Sequence, residues 1–208
     1  MYTSAAMQSL RYGCFSSERE ALEGPDPEVY DELSPAERLL AVSELTAGLR
    51  DDDPRPALAL AALGAAEAAP QVAALVAAAA GREADTHARA SVDIALALWL
   101  LAHDAAAIEH HAAVLAANRD PVIRMIASAN LGRMRHARAV EVIAERLLDE
   151  DDPGARYNLA RSAAQIYGLS EHDPDVDARL CAAATAAGYA RPAARDALFA
   201  WIAAQQGR

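Results

Sequence analysis

Hydrophobic positions along the chain recur mostly at the spacing of a helix. One run in the second half of the chain has its apolar residues at offsets of 0, 3, 4, 7 and 8: Val140, Ile143, Ala144, Leu147 and Leu148. Such offsets place the side chains on one face of a helix with 3.6 residues per turn. β-Branched residues are sparse, and no segment alternates for long between apolar and polar residues. The pattern predicts an all-α protein.

Short acidic, proline-containing sequences separate the apolar runs at a regular distance. Asp120–Pro121 recurs as Asp152–Pro153, and similar steps back from Asp120 reach Asp85 and then Asp53. Three of the four aspartates have an arginine four residues later, namely Arg89, Arg124 and Arg156. The step from Asp120 to Asp152 is called here the repeat period. Its length lies in the range of about 30 to 45 residues that is typical of stacked helical repeats.

Each of these aspartates is expected to begin the first helix of a helix hairpin. An aspartate accepts hydrogen bonds from the unpaired amides of a first turn, and proline suits the next position because it has no amide. The arginine one turn later is expected to pair with this aspartate or with that of the neighbouring repeat. The first helices are expected to stop at or near glycines, namely Gly64, Gly132 and Gly168. The second helices are expected at about Ala106–Ala117, Ala137–Leu148 and Asp175–Ala187.

The sequence DPVIRMIASANLGRM, from Asp120 to Met134, resembles the repeat of the HEAT-repeat family, in particular its short bacterial variety related to phycobilin-lyase repeats. The sequence DPRPALALAALG, from Asp53 to Gly64, is the next best match. The resemblance covers about Asp51 to Arg208. Together with the period, it predicts a right-handed α-solenoid of four to five HEAT-like hairpins with an N-terminal capping helix. Because solenoids serve many unrelated functions, the resemblance says little about function.

The N-terminal part has a different pattern. Residues 1–33 contain several glycines and prolines without a clear period, which predicts a partly irregular segment, with a short helix around Ser16–Leu22 or a mobile tail. Residues 34–208 are predicted to form the HEAT-like domain. Ser34 and Glu37 have the spacing of a capping box, which predicts a helix over Pro35–Leu49. Its apolar face is expected to cover the open end of the stack: Leu39, Leu40, Val42, Leu45 and Leu49.

Composition and charge narrow the classes of function. The formal net charge is −11, which disfavours a nucleic-acid partner and suits a basic protein partner. The cluster of Arg133, Arg135, His136 and Arg138 is interpreted as a solvated helix end. Two cysteines are too few for a disulfide framework, and the longest apolar run is shorter than the roughly 20 residues of a membrane span. We expect a cytoplasmic protein without membrane association.

A few polar groups could carry chemistry. His103 and His110 are seven residues apart and lie near Glu109 and His111, but Asp104 is expected to begin a new helix, which would separate these side chains. No paired catalytic carboxylates, phosphate-binding glycine loop or serine–histidine pattern stands out in the sequence. We therefore expect no metal site, no cofactor and no enzymatic activity.

The outer faces of the second helices are the predicted binding surface. Stacked helical repeats use such faces to line a concave groove, and the polar residues predicted there are Glu109, His110, Glu141, Glu145 and Asp177. Glu109 and Glu141 are one repeat period apart and hold equivalent positions in neighbouring repeats. The main hypothesis is a scaffold or adaptor that holds a basic protein partner, with an immunity or antitoxin-like inhibitor of a basic toxin as one form of it. An accessory lyase or maturation factor of the phycobilin-lyase type is the alternative, and a solvated acidic helix face is the simplest interpretation.

Overall fold

The computed structural model describes residues 3–16, 27–86 and 88–205, and these residues form helices and connecting loops without a β-strand. The all-α prediction is confirmed. Two residues other than glycine have a positive φ within these ranges, His103 and Arg135, and each lies directly after a helix. The helices are α1 Ala5–Phe15, α2 Val29–Glu32, α3 Pro35–Ala47, α4 Arg55–Ala62, α5 Ala69–Ala78, α6 Ala88–Ala102, α7 Ala105–Ala117, α8 Pro121–Met134, α9 Ala137–Asp149, α10 Pro153–Ile166, α11 Pro174–Thr185 and α12 Ala190–Gln205.

The chain divides into two compact units. The first comprises Met1–Gly81 with Asp93–Ala107, and the second comprises Arg82–Val92 with Ile108–Arg208. The domain boundary between residues 33 and 34 stays a prediction from the sequence.

In the first unit, α1 runs alongside α3. The Ser4 amide donates to Glu37 Oε1 at 3.0 Å, and Arg11 Nε donates to Glu44 Oε2 at 2.8 Å. Both pairs are 33 residues apart in the chain, so the two helices are parallel. The core beneath them contains side chains from α1, α3 and α4, among them Met7, Leu10, Cys14, Ala41, Leu45 and Leu60.

The apolar face predicted for α3 is wrong in part. The capping box of Ser34 and Glu37 is present, but Leu39 is 74% exposed and Leu40 is also exposed. The buried stripe instead contains Ala41 and Leu45, because α1 and α4 pack on that side. The described part of residues 1–33 includes α1 and α2, and α1 was not predicted. The helix expected around Ser16–Leu22 lies mostly outside the described residues.

In the second unit, successive first helices pack side by side. Helix α8 packs along α10, and α10 also packs against α9 and α11. A Cβ on Gly154 would lie 3.8 Å from Met125 Sδ, and a Cβ on Gly132 would lie 3.0 Å from Ser162 Cβ. Later residues of α8 therefore meet later residues of α10, which makes this pair parallel. Helix α12 completes the unit by packing on α9 and α11.

The Asp-Pro sequences begin helices as predicted. Asp120 is the N-cap of α8, where its Oδ1 accepts from the Val122 amide at 2.8 Å, and Asp152 is the N-cap of α10. Asp152 Oδ1 accepts from the Ala155 amide at 2.8 Å. Helix α7 begins after Asp104, whose Oδ1 accepts from the Ala106 amide at 2.9 Å.

Gly132 does not stop a helix, whereas the other two glycines do. Gly64 and Gly168 follow α4 and α10 with φ values of 64° and 77°, which glycine adopts without strain. Gly132 lies inside α8 and is buried against α10. The missing side chain lets the two helices approach closely, and α8 continues to Met134.

The buried face of α9 differs from the predicted one by a rotation about the helix axis. Its buried residues are Ala139, Val142, Ile143 and Leu147, whereas Val140, Ala144 and Leu148 are only half-buried. The difference arises because α9 packs against α8, α10 and α12, and this broad contact also takes in the small Ala139.

Candidate partner-binding surface

Arg138 binds both Glu109 and Glu141, the two acids that are one repeat period apart. Its Nε donates to Glu109 Oε1 at 2.8 Å, and its Nη1 donates to Glu141 Oε2 at 3.1 Å. Glu109 lies on α7, whereas Arg138 and Glu141 lie on α9. The surface formed by Glu109, Arg138, Glu141 and Glu145 is called here the acidic surface.

The acidic surface is accessible and keeps an excess of negative charge. The side chains of Glu109 and Glu141 are 55% and 63% exposed, and Glu145 is also exposed. The hydrogen bond from Arg138 lowers the pKa of Glu109, and the two glutamates raise the pKa of Arg138. With three glutamates and one arginine, the acidic surface has a formal net charge of −2. Exposed pairs of this kind add roughly 0–1 kcal/mol to stability.

His110 does not belong to the acidic surface. It is 7% exposed, and its Nε2 is 2.8 Å from Ser91 Oγ. Ser91 Oγ also donates to the Ala88 carbonyl at 2.9 Å. Burial lowers the pKa of His110. The prediction that this side chain faces outward is wrong, because it follows Glu109 by about a quarter of a turn and points to the interior.

Asp177 is half-buried on α11 and engaged with a neighbour. Its Oδ1 accepts a hydrogen bond from Tyr157 Oη at 2.8 Å, which raises the pKa of Tyr157 to about 12. The thiol of Cys181 is 3.9 Å from the same oxygen. Of the five residues predicted for the surface, Glu109 and Glu141 are joined by Arg138, and Glu145 lies one turn after Glu141.

The loops before α8 and α10 are held by a network that repeats with the period of the chain. The Asp120 amide donates to Asn118 Oδ1 at 2.9 Å, and the Asp152 amide donates to Glu150 Oε1 at 2.9 Å. Asn118 and Glu150 are one repeat period apart. Arginines on the helices that follow donate to the carbonyls of these same two residues: Arg124 Nη1 to Asn118 at 3.0 Å and Arg156 Nε to Glu150 at 2.9 Å.

Each arginine of this loop network also reaches the next loop along the chain. Arg124 forms a two-point ion pair with Glu150 at 2.7 and 2.8 Å. Arg156, which is 4% exposed, donates to the carbonyls of Ala184, at 2.9 Å, and of Ala186. The expectation that these arginines pair with the helix-capping aspartates is wrong, because the carboxylates of Asp120 and Asp152 already accept from helix amides.

The sequence contained signals for part of this arrangement. The equivalence of Glu109 and Glu141 in the repeat was visible, but the cluster containing Arg138 was interpreted as a solvated helix end. Arg138 lies 29 residues after Glu109 and three before Glu141, so it reaches both only because the fold brings Glu109 on α7 close to the start of α9. The network of Asn118 and Glu150 was missed because one residue is an amide and the other an acid.

Metal-binding groups and membrane-spanning helices are two features that often reveal function. In the part of the chain that the structure describes, His, Cys, Asp and Glu side chains form no group of three or more that could hold a metal ion. The same residues include no helix with the length and apolarity required to cross a membrane. Comparisons of this chain with protein-family models, with curated proteins and with solved structures found no match.

Proposed function

We propose that this protein is a non-catalytic scaffold that binds a basic segment of a protein partner on its acidic surface. The observation that carries the proposal is the accessible set of Glu109, Glu141 and Glu145 around a single arginine. Acids on exposed helix faces attract a basic segment and favour it over neutral and acidic ones. The partner class is therefore protein rather than nucleic acid, and the two free cysteines suit the cytoplasm.

The proposed architecture is a right-handed HEAT-like α-solenoid of four to five hairpins. Support comes from the second unit, where the hairpins α8–α9 and α10–α11 follow each other with parallel first helices. The loop network adds support because its bonds recur after one repeat period. In such an architecture the second helices α7 and α9 would line the binding face.

Association kinetics test the proposal. A partner captured from the host is purified, and its association rate is measured for wild type and for Glu145→Lys. This substitution disturbs no hydrogen bond of the acidic surface, because Arg138 binds Glu109 and Glu141 instead. We expect slower association at low salt and a smaller difference at high salt, because exposed charges are screened over about 8 to 10 Å.

The matched control is Glu67→Lys, which changes the net charge equally at an exposed site in the first unit. Similar slowing by both substitutions would indicate a general charge effect and would contradict the proposal. The double variant Glu109→Lys with Glu141→Lys also releases Arg138, so we expect it to slow association more than Glu145→Lys. If neither Glu145→Lys nor the double variant changed the association rate at low salt, the binding surface would lie elsewhere.

A basic toxin is one form of the proposed partner, and the same kinetics would apply to it. The accessory-lyase alternative predicts a different result, namely that the purified protein carries or binds a chromophore. Visible absorbance of the protein purified from its host distinguishes the two, since a scaffold of the proposed kind has no chromophore.

A further inference from the structure

A polar cleft of about 410 Å³ lies beside the ends of α7 and α9, within the second unit. Its volume falls in the range of roughly 300–1,000 Å³ that is common for small-molecule sites. Charged side chains line it from four segments. They are Arg119 in the loop after α7, Arg124 on α8, Arg146 and Asp149 on α9, and Glu150 and Asp151 in the loop that follows α9. None of the residues of the acidic surface lines this cleft. Glu145 is the residue of that surface nearest to it in the chain, because it directly precedes Arg146.

Some of the charged side chains in this cleft have hydrogen-bond or ion-pair partners and others have none. Arg124 and Glu150 form a two-point ion pair, and both also take part in the loop network. The side chains of Arg119 and Arg146, in contrast, make no hydrogen bond or ion pair with any residue that the structure describes. The cleft thus holds two uncommitted guanidinium groups beside the Arg124–Glu150 pair, Asp149, and Asp151, which Arg191 binds.

Arg146 is the more informative of the two. It is half-buried, and its Nε is shielded from solvent without a hydrogen-bond partner. An unsatisfied buried donor is costly, and native structures contain few of them. Arg191 Nε has the same status, but Arg191 donates through its two Nη atoms to the Leu148 carbonyl and to Asp151. The two Nη atoms of Arg146 also have no partner among the described residues, and because they are not shielded as Nε is, an acceptor-bearing ligand in the cleft could bind them.

The neighbouring charges indicate which anion fits. Asp149, Glu150 and Asp151 line the same cleft, and the carbonyl ends of α7 and α9 add partial negative charge. A doubly charged phosphate would be repelled more strongly by these groups than a singly charged anion. A carboxylate has one charge and matches the planar fork of a guanidinium in two-point geometry. We propose that this cleft binds a carboxylate through Arg119 and Arg146.

The carboxylate could belong to a small molecule or to the C-terminus of a peptide. NMR titration of the amide signals with four organic probes separates these sources, and a titration with inorganic phosphate tests for a general anion effect. N-acetylglycine represents the small carboxylate and N-acetylglycinamide its uncharged analogue. A short peptide with a free C-terminus is compared with the same peptide amidated. Tighter binding of the free peptide than of N-acetylglycine would assign the cleft to a chain terminus, and the reverse order to a small molecule.

The proposal predicts saturable binding of N-acetylglycine that shifts signals around Asn118, Arg119 and Glu150. Arg146→Gln is expected to weaken it by about tenfold or more, since a hydrogen bond to a charged group contributes about 1.5–3 kcal/mol. Arg119→Gln should act in the same direction, and it is exposed, so it tests the site even if Arg146→Gln folds poorly. Arg146→Lys keeps the positive charge but lacks the planar guanidinium, so its affinity for N-acetylglycine should lie between those of wild type and Arg146→Gln. Arg133→Gln, an exposed arginine of α8 outside the cleft, is the control and should leave binding unchanged.

Three results would overturn the proposal. One is the absence of saturable binding by both carboxylate probes. Another is binding of the uncharged analogue or of inorganic phosphate as tight as that of N-acetylglycine. The third is affinity that survives both Arg119→Gln and Arg146→Gln in variants whose urea midpoints match wild type.

Discussion

The close contact at Gly132 allows a test in which two physical effects predict opposite signs. In a helix interior, replacing glycine with alanine is expected to stabilise a protein by about 1 kcal/mol. At Gly132, however, the new Cβ would lie 3.0 Å from Ser162 Cβ and 3.1 Å from Ser162 Cα. Part of this obstacle is backbone, so α8 and α10 would have to separate by a few tenths of an ångström.

Packing is expected to decide the result. Overpacking a well-packed contact costs about 1–3 kcal/mol, so Gly132→Ala should lower the free energy of unfolding by a net amount of about 1 kcal/mol. Urea denaturation followed by far-UV circular dichroism measures it, with the m-value checked for constancy. Gly154→Ala is the comparison on the neighbouring helix, because its new Cβ would meet side-chain atoms instead of backbone, namely Asp152 Oδ1 at 3.2 Å and Met125 Sδ at 3.8 Å. Because this oxygen caps α10, we expect Gly154→Ala to cost some stability but less than Gly132→Ala.

A double-mutant cycle locates the effect. Ser162→Gly removes the Cβ that obstructs the new methyl group, so combining it with Gly132→Ala should recover stability relative to the sum of the single changes. A coupling of about 0.5–3 kcal/mol is typical of residues in contact. If Gly132→Ala were as stable as wild type or more stable, the interpretation of Gly132 as a packing residue would be refuted, and helix propensity would account for the position.

Three further predictions concern stability. Arg156→Ala should cost about 3 kcal/mol or more in urea denaturation because it leaves buried carbonyls without donors, whereas the exposed Arg133→Ala should cost little. Asp120→Ala should cost about 0.5–2 kcal/mol by the same assay, and an unchanged midpoint would argue against its N-cap role. Burial lowers the pKa of His110 below 6.5, so the unfolded chain binds its proton first and stability should fall as pH drops through this value. Between about pH 7.5 and about pH 5.5, His110→Gln should lose less stability than wild type, and the exposed His172→Gln should behave as wild type.

The helix starts could be predicted from sequence because their chemistry is local. Asp120 and Asp152 bind amides two or three residues away, and no distant residue is needed to place them. Helix α1 was missed although Ser4 caps it. The Ser4 Oγ accepts a hydrogen bond from the Met7 amide at 3.2 Å. Its buried face includes Ala6, Gly13 and Cys14, whose small side chains give a weak apolar pattern.

Features that depend on a neighbouring helix could not be read from local sequence. Leu63–Gly64 and Leu131–Gly132 have the same two letters, yet the first pair ends a helix and the second packs inside one. The difference lies in α10, which contacts Gly132 from the next repeat. The glutamates of the acidic surface could be predicted because Glu109 and Glu141 are one repeat period apart. The role of Arg138 was missed because it depends on which residues of α7 the fold places near the start of α9.

The loop network also bears on how the chain could change in length. Arg124 and Arg156 each bind the backbone carbonyl two residues before their own aspartate, and a carbonyl is present whatever the side chain. Glu150 serves both arginines, one with its carboxylate and the other with its carbonyl. A second copy of residues 120–151 inserted in tandem would therefore find an acceptor at each of its junctions. The bonds that hold neighbouring loops together would permit growth by whole repeats, whereas an insertion of part of a repeat between Arg124 and Glu150 would change the chain length that their two-point ion pair spans.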